Sequence, residues 1–506
     1  MLIYPCVESL LYYAQSNLLL DDLDVIWARN LLLSELHLSD YVQYEVDYEA
    51  LDALDRPDTV LEPLVSYAVE NGIITEDQRE LFGGKLMNIV CKRPAEIADL
   101  FCDLHKKSPV RAFEFLHDYG IKSDYIKLTK ISQNIKWEAK STKGKLEITI
   151  NTCRPEKSNK AVTAALKQKT SSYPACTICR ENEGYAAGSQ IRQTLRTVPL
   201  TLGGEEWFWQ YSPYAYFHQH GIAVNAEHTP MKVDDSTIVK LFDFVDFMPA
   251  YFIGCNAALP RIGGSVLTHD HFQGGAKVMP MFKAPVRTKL KHKDYPYIDM
   301  CIPDWYNSVL RLSCSNREKL IEFAQMVNNA WCAYNDESVG ILANTGEQHS
   351  GITPIVRKND DTYIIDIIFR NNRCDKQYPD GIFHAHPEFH NIKSESIGLI
   401  EAMGLFVLPG RLARQMDVVE KYITKEVKYN AANLAEDMVV HKAMIEKLLK
   451  ASGSAKIGPV EARLDIKEEI NRVCEEILKN TAVFKDDEQG TAAYYKFLGT
   501  LGIAVK

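Results

Sequence analysis

The stretch from about Ile131 to residue 280 most narrows what this chain can become. Its apolar residues recur with a period of two, whereas the flanking segments run at three and four. Gly144 to Asn151 alternates, and Glu206 to Tyr211 and Gly221 to Val224 read as strands, with a helix interposed over 236–248. A second stretch, roughly 336 to 390, repeats that texture in Val339 to Ala343 and Thr362 to Arg370. Ahead of it all, Leu10, Leu11, Ala14 and Leu18 keep helical spacing, and Thr75-Glu76-Asp77-Gln78 reads as a capping box. Beyond about 430 two amphipathic segments, Met438 to Leu449 and Leu464 to Leu478, are split by Gly453, Ser454 and Gly458. The layout predicts an α+β protein with a helical region over 1–130, strand-rich parts over 131–285 and 286–430, and helices over 431–506.

Composition removes several function classes. The 506 residues are 46% hydrophobic and 25% charged, which excludes a disordered tail or a stapled miniprotein. Lys and Arg total 58 against 67 acidic residues, a net charge of -9, so no global basic field attracts nucleic acid or an anionic membrane. No run of about 18 apolar residues suggests a membrane span. The first residues lack the basic start of a secretion signal, and most of the twelve cysteines are scattered singly. A cytoplasmic protein with reduced thiols is the expectation.

The densest chemistry lies in Gly263-Gly264-Ser265-Val266-Leu267-Thr268-His269-Asp270-His271-Phe272-Gln273-Gly274-Gly275. A strand over 265–273 would put Ser265, Leu267, His269, His271 and Gln273 on one face. The flanking glycine pairs would let main-chain N–H groups approach a phosphate, making Gly263, Gly264 and Ser265 candidate substrate contacts. A neutral imidazole is a competent nucleophile at phosphorus, and its phosphoimidazole is reactive toward a second acceptor. Gln273 can hydrogen-bond but cannot transfer protons, which favours transfer between phosphates over hydrolysis. The bland alternative is a histidine pair on a solvated strand.

Cys176-Thr177-Ile178-Cys179 has zinc-knuckle spacing and needs two more ligands. His218, His220, His228 and His269 are the candidates; a redox pair or plain thiols are the alternatives.

The glycine-flanked block closely resembles the signature of the second class of galactose-1-phosphate uridylyltransferases, members of the histidine triad superfamily. The resemblance extends through Tyr173 to Tyr185, Tyr211-Ser212-Pro213-Tyr214, Glu227-His228-Thr229-Pro230-Met231 and Ile397 to Leu405, and covers nearly the whole chain. It implies two histidine-triad-like halves of mainly antiparallel sheet with helices. It also implies transfer of UMP from UDP-glucose to galactose 1-phosphate by double displacement, with His271 as the nucleophile and Gln273 holding the phosphate.

The first class of the family has His-Pro-His-Gly-Gln at this point, so Asp270 and Phe272 are departures. First-class relatives imply zinc on Cys176, Cys179, His228 and His269, in a structural role, and active sites at a homodimer interface. A second metal would fall on His349, His384 and His386, but no acidic fourth ligand follows Gln273 and none is expected. Phe383-His384-Ala385-His386-Pro387 echoes the first His-x-His as a degenerate copy, structural or substrate-binding. Lys393 and Glu401 either line the hexose end with it or are ordinary polar helix residues. The competing readings are a histidine triad nucleotide hydrolase, against which Gln273 argues, a dinucleotide phosphorylase, and a zinc-containing nucleic-acid or protein-binding module, against which the acidic balance argues.

Overall fold

The computed structural model describes residues 3–153, 173–186, 192–453 and 457–506. The chain folds as α+β and divides into two compact units with interleaved segments. The first takes the described residues up to 132, those from 173 to 229, and 273–275. The second takes 133–153, 230–272 and the described residues from 276 to the end.

In the first unit, helices Ile3–Leu18, Val25–Glu35, Asp58–Glu70, Arg79–Val90, Pro94–His105 and Pro109–Lys122 precede an antiparallel meander of Val198–Leu202, Glu205–Tyr211 and Gly221–Asn225. The capping box at Thr75 forms as the spacing predicts, and the helix Arg79–Val90 follows it. Trp207 through Tyr211 are all buried, so the middle strand is covered on both faces. Trp209 meets Phe113 of the helix Pro109–Lys122 at 5.5 Å between ring centroids, and Tyr211 donates its hydroxyl to the Phe113 carbonyl at 2.8 Å. These contacts seat the meander on the helical layer.

The second unit contains seven strands hydrogen-bonded in the order Ile503–Val505, Val286–His292, Asp299–Pro303, Val309–Cys314, Thr362–Asn371, Ser350–Asn359 and Phe252–Gly254. Asp366, fully buried in the middle of this run, is held by Arg311 and Arg357 from the two neighbouring strands. A smaller sheet joins Ile135–Ser141 and Gly144–Asn151 antiparallel, then adds Leu405–Pro409 parallel. Helices Asp235–Phe247 and Arg317–Ala333 pack on the strand Ser350–Asn359. The C-terminal helices Lys442–Ser452, Pro459–Thr481 and Glu488–Thr500 complete the unit, with Phe484 and Phe497 set edge-on against Trp331.

One expected strand is missing. In place of a strand over Val339 to Ala343, a short 3-10 turn, Glu337–Val339, leads through Gly340 to a single isolated bridge between Ile341 and Asp336. The Asp336 carboxylate accepts the Ser338 N–H, and Gly340 takes a φ of 76°, which together turn the chain before a strand can extend.

Candidate active site

The strand carrying the histidine motif spans His271–Gly275, not 265–273. Arg261 and Gly264 have φ of 72° and 77°, and the chain through 261–270 runs as turns that interrupt any alternation before His271. Strand geometry therefore aligns His271 with Gln273 but not with His269 or Ser265. Ser265 is exposed, whereas His269 is buried.

The glycines around the motif are required by the protein's own packing. A Cβ on Gly264 would lie 2.8 Å from Asn256 Nδ2, and one on Gly263 would lie 2.6 Å from the Leu259 carbonyl oxygen. At Gly275 it would meet the Gln219 carbonyl oxygen at 2.5 Å.

The His271 ring is oriented by its own chain. Its Nδ1 lies 2.8 Å from the His269 carbonyl oxygen, which can only accept, so Nδ1 carries the proton and the lone pair sits on Nε2. At 7% exposure the ring is held but not sealed.

Gln273, half-buried on the same strand, meets a histidine from the turn between Tyr211 and Gly221. His220 Nε2 lies 3.3 Å from Gln273 Oε1, and His220 Nδ1 accepts the Tyr216 main-chain N–H at 3.4 Å. Burial pushes the His220 pKa down to about 4, so the ring is neutral near pH 7. In the sequence His220 stands out only as a candidate zinc ligand; no local pattern links it to Gln273.

Within the first unit Cys176, Cys179 and His228 bring two thiols and an imidazole together. Cys176 Sγ and Cys179 Sγ are 3.4 Å apart, and Cys179 Sγ is 3.1 Å from His228 Nδ1. A tetrahedron with metal–sulfur bonds of about 2.3 Å has an edge of about 3.8 Å, close to this spacing. The Cys176 thiol and burial push the Cys179 thiol well above its usual range, since two thiolates this close require a cation between them. The donor set therefore fits a dication such as zinc.

Asn182, fully buried, folds the cysteine loop by donating to the Cys176 and Cys179 carbonyls at 2.9 and 2.8 Å. Sequence reasoning passed over it, although it sits three residues after Cys179. Of the other ligand candidates, His218 stacks edge-on against His117 and His220 serves Gln273.

The second His-x-His is packed differently. His384 is buried, and burial drives its pKa down to about 3. His386 stacks on Tyr378 at 3.9 Å between centroids and bonds the Ile382 carbonyl through Nε2 at 3.1 Å. Lys393 and Glu401 lie 3.1 Å apart as a buried ion pair. Lys393 also donates to the Val407 carbonyl at 2.6 Å, while Glu401 accepts the Gly398 N–H at 3.1 Å. His349 bonds Asn372 Oδ1 at 2.9 Å and Thr345 Oγ1 at 2.5 Å. Among the described residues no helix is long and apolar enough to cross a membrane.

Two family models match the chain, "Galactose-1-phosphate uridyl transferase, N-terminal domain" over residues 39–230 and the corresponding C-terminal domain over 212–442. Among curated relatives, the galactose-1-phosphate uridylyltransferase of Caldanaerobacter subterraneus subsp. tengcongensis is 40% identical, over 98% of this chain and 97% of its own. That of Lactococcus lactis subsp. lactis is 38% identical over 98% and 99%, and that of Bifidobacterium longum 37% over 100% and 99%. Of solved structures, yeast Ap4A phosphorylase aligns with a TM-score of 0.30 and 12% identity over 67% of this chain and 95% of its own, a likeness too remote to carry an argument.

Proposed function

The chain belongs to the galactose-1-phosphate uridylyltransferase family, and from that premise we propose that it moves UMP from UDP-glucose to galactose 1-phosphate through a covalent intermediate on His271 Nε2. The observation that carries the assignment to His271 is its 2.8 Å bond from Nδ1–H to the His269 carbonyl, which fixes the tautomer with the lone pair on Nε2.

In the first half-reaction that lone pair forms a P–N bond to the α-phosphorus. The P–O bond to the β-phosphate breaks, and glucose 1-phosphate leaves with the electron pair. In the second, a phosphate oxygen of galactose 1-phosphate forms the new P–O bond, and the P–N pair returns to Nε2 as UDP-galactose departs. The His269 carbonyl stabilises the cationic ring of the intermediate by keeping its acceptor on Nδ1–H. Gln273, on the same strand face, donates its amide to a phosphoryl oxygen. Both leaving groups are phosphates that need little protonation, so an amide suffices where a hydrolase would need an acid.

Zinc on Cys176, Cys179, His228 and His269 would supply a closed tetrahedral anchor whose two thiolates cancel its charge, without activating water. Held through His269, it would fix the chain two residues before His271. A cytoplasmic location agrees with twelve cysteines of which none forms a disulfide. A homodimer belongs to the same reading and rests on the family resemblance alone.

The test is incubation with UDP-glucose radiolabelled at the α-phosphate. Acid-labile label should appear on the protein, disappear from the His271→Ala variant, and pass to galactose 1-phosphate. Release of free UMP in its place would mark a hydrolase and overturn the reading.

A further inference from the structure

We propose that His220 is a positioning residue for the transfer, holding the Gln273 side chain so that its amide Nε2 end, and not its oxygen, is offered to the phosphoryl group. The inference rests on the reading of Gln273 as the phosphate-binding amide and adds to it the group that sets its direction.

One chain of hydrogen bonds sets the direction of the amide. The Tyr216 main-chain N–H can only donate, so its 3.4 Å contact makes His220 Nδ1 an acceptor. A neutral imidazole with an accepting Nδ1 carries its proton on Nε2, and that proton points at Gln273 Oε1 3.3 Å away. The glutamine oxygen is thereby committed to His220, which leaves the two amide hydrogens as the end the strand can present to an anion. Burial keeps the ring from taking a second proton near pH 7, so the direction of the chain of bonds does not reverse.

The ring is itself held in place. Tyr216 stacks on it at 5.1 Å with an interplanar angle of 20°, and Phe217 lies 4.7 Å away. Its main chain closes the turn, with the Ser212 N–H donating to the His220 carbonyl at 2.9 Å and the His220 N–H to the Phe217 carbonyl at 3.1 Å. Gly275 lets this turn approach the strand closely, since any Cβ there would collide with the Gln219 carbonyl. Without the His220 donor the amide can turn over, and the flipped rotamer sets a carbonyl oxygen against a phosphoryl oxygen. Preorganised donors aimed at charge in the transition state act on rate more than on binding.

The experiment is a double-mutant cycle on the full chain, using steady-state transfer from UDP-glucose. H220F keeps an aromatic ring and removes the donor. It should lower kcat about tenfold with KM for UDP-glucose changed less than about twofold, the size of one neutral hydrogen bond. In a Q273A background the same change should cost less than about twofold, because the group it orients is gone. H220Q, which restores a donor near the Nε2 position, should recover part of the loss. Equal losses from H220F in both backgrounds, or no loss at all, would overturn the positioning role. A parental rate in Q273A alone would instead remove the phosphate-binding reading beneath it. Should H220F not fold, H220N, whose amide stops short of Gln273, runs the same cycle.

Discussion

The Nδ1 atom of His271 lies 2.8 Å from the carbonyl oxygen of His269, two residues earlier in the chain. Because a carbonyl only accepts, this contact selects one tautomer and aims the opposite nitrogen as the nucleophile. His271→Ala should abolish transfer and the acid-labile label together. His271→Gly should regain turnover with added imidazole, which becomes a diffusible nucleophile for the same cavity. Label remaining on the alanine variant would place the nucleophile elsewhere.

Gln273→His should shift the balance from transfer toward hydrolysis. The new imidazole would stand beside His220, and a group able to shuttle protons can activate water against the P–N bond, which an amide cannot. The ratio of UMP released to UDP-galactose formed measures this. A ratio equal to the parent's would mean that the glutamine does not govern the choice of acceptor.

The buried Lys393–Glu401 pair should behave as a unit. Lys393→Met leaves the Glu401 carboxylate and the Val407 carbonyl without their cation, so stability should fall by about 3–5 kcal/mol. Glu401→Gln added to it should recover part of that loss by removing the stranded charge. Urea midpoints of the three proteins give the comparison, and KM for galactose 1-phosphate reports whether the pair also touches the sugar.

How much of this was legible in the sequence depends on the range over which each feature is decided. The capping box at Thr75, the strands Gly144–Asn151 and Thr362–Asn371 and the helix Asp235–Phe247 follow from local period, and the sequence pattern places them within a residue or so. The cysteine pair was readable as a motif, and family resemblance supplied its histidines. The strand bearing His271 starts six residues later than the alternation from Ser265 predicts, because the chain turns through Arg261 and Gly264 at positive φ and does not extend before His271. Val339 to Ala343 failed for a similar reason, as Gly340 closes a turn inside an apolar run. His220 and Asn182 act through contacts that no spacing rule encodes: one is 53 residues from its partner, and the other is a buried amide inside a loop.

The metal group makes a coupled prediction. Cys176→Ser or Cys179→Ser should lower zinc content and thermal stability together, since a structural site contributes its binding energy to folding. Any residual activity should keep the ping-pong pattern, because no step passes through the metal. Elemental analysis with parallel melting curves checks this. Fully active protein with zinc far below one equivalent per chain would take the metal out of the account and leave His271 untouched.

Acid should destabilise the protein earlier than its carboxylates require. Burial lowers His117, His220 and His441 to a pKa of about 4 and His384 to about 3, against about 6.5 for an unfolded histidine. Between pH 6.5 and 4 the unfolded chain binds these protons and the native state does not, so stability falls as pH drops through that window; the contribution of His117, His220 and His441 levels off below about 4 and that of His384 below about 3. Each histidine should cost on the order of 1–2 kcal/mol between pH 7 and 5. Over that range carboxylates with lowered pKa, such as Glu469 and Asp234, are still ionised in the native state. Urea midpoints measured at pH 7, 6 and 5 should therefore decline steadily. His117→Phe, which keeps the aromatic contact with Tyr211 at a ring position now without a titrating proton, should make that decline shallower. An unchanged slope in this variant would show that His117 is protonated in the native state at pH 5.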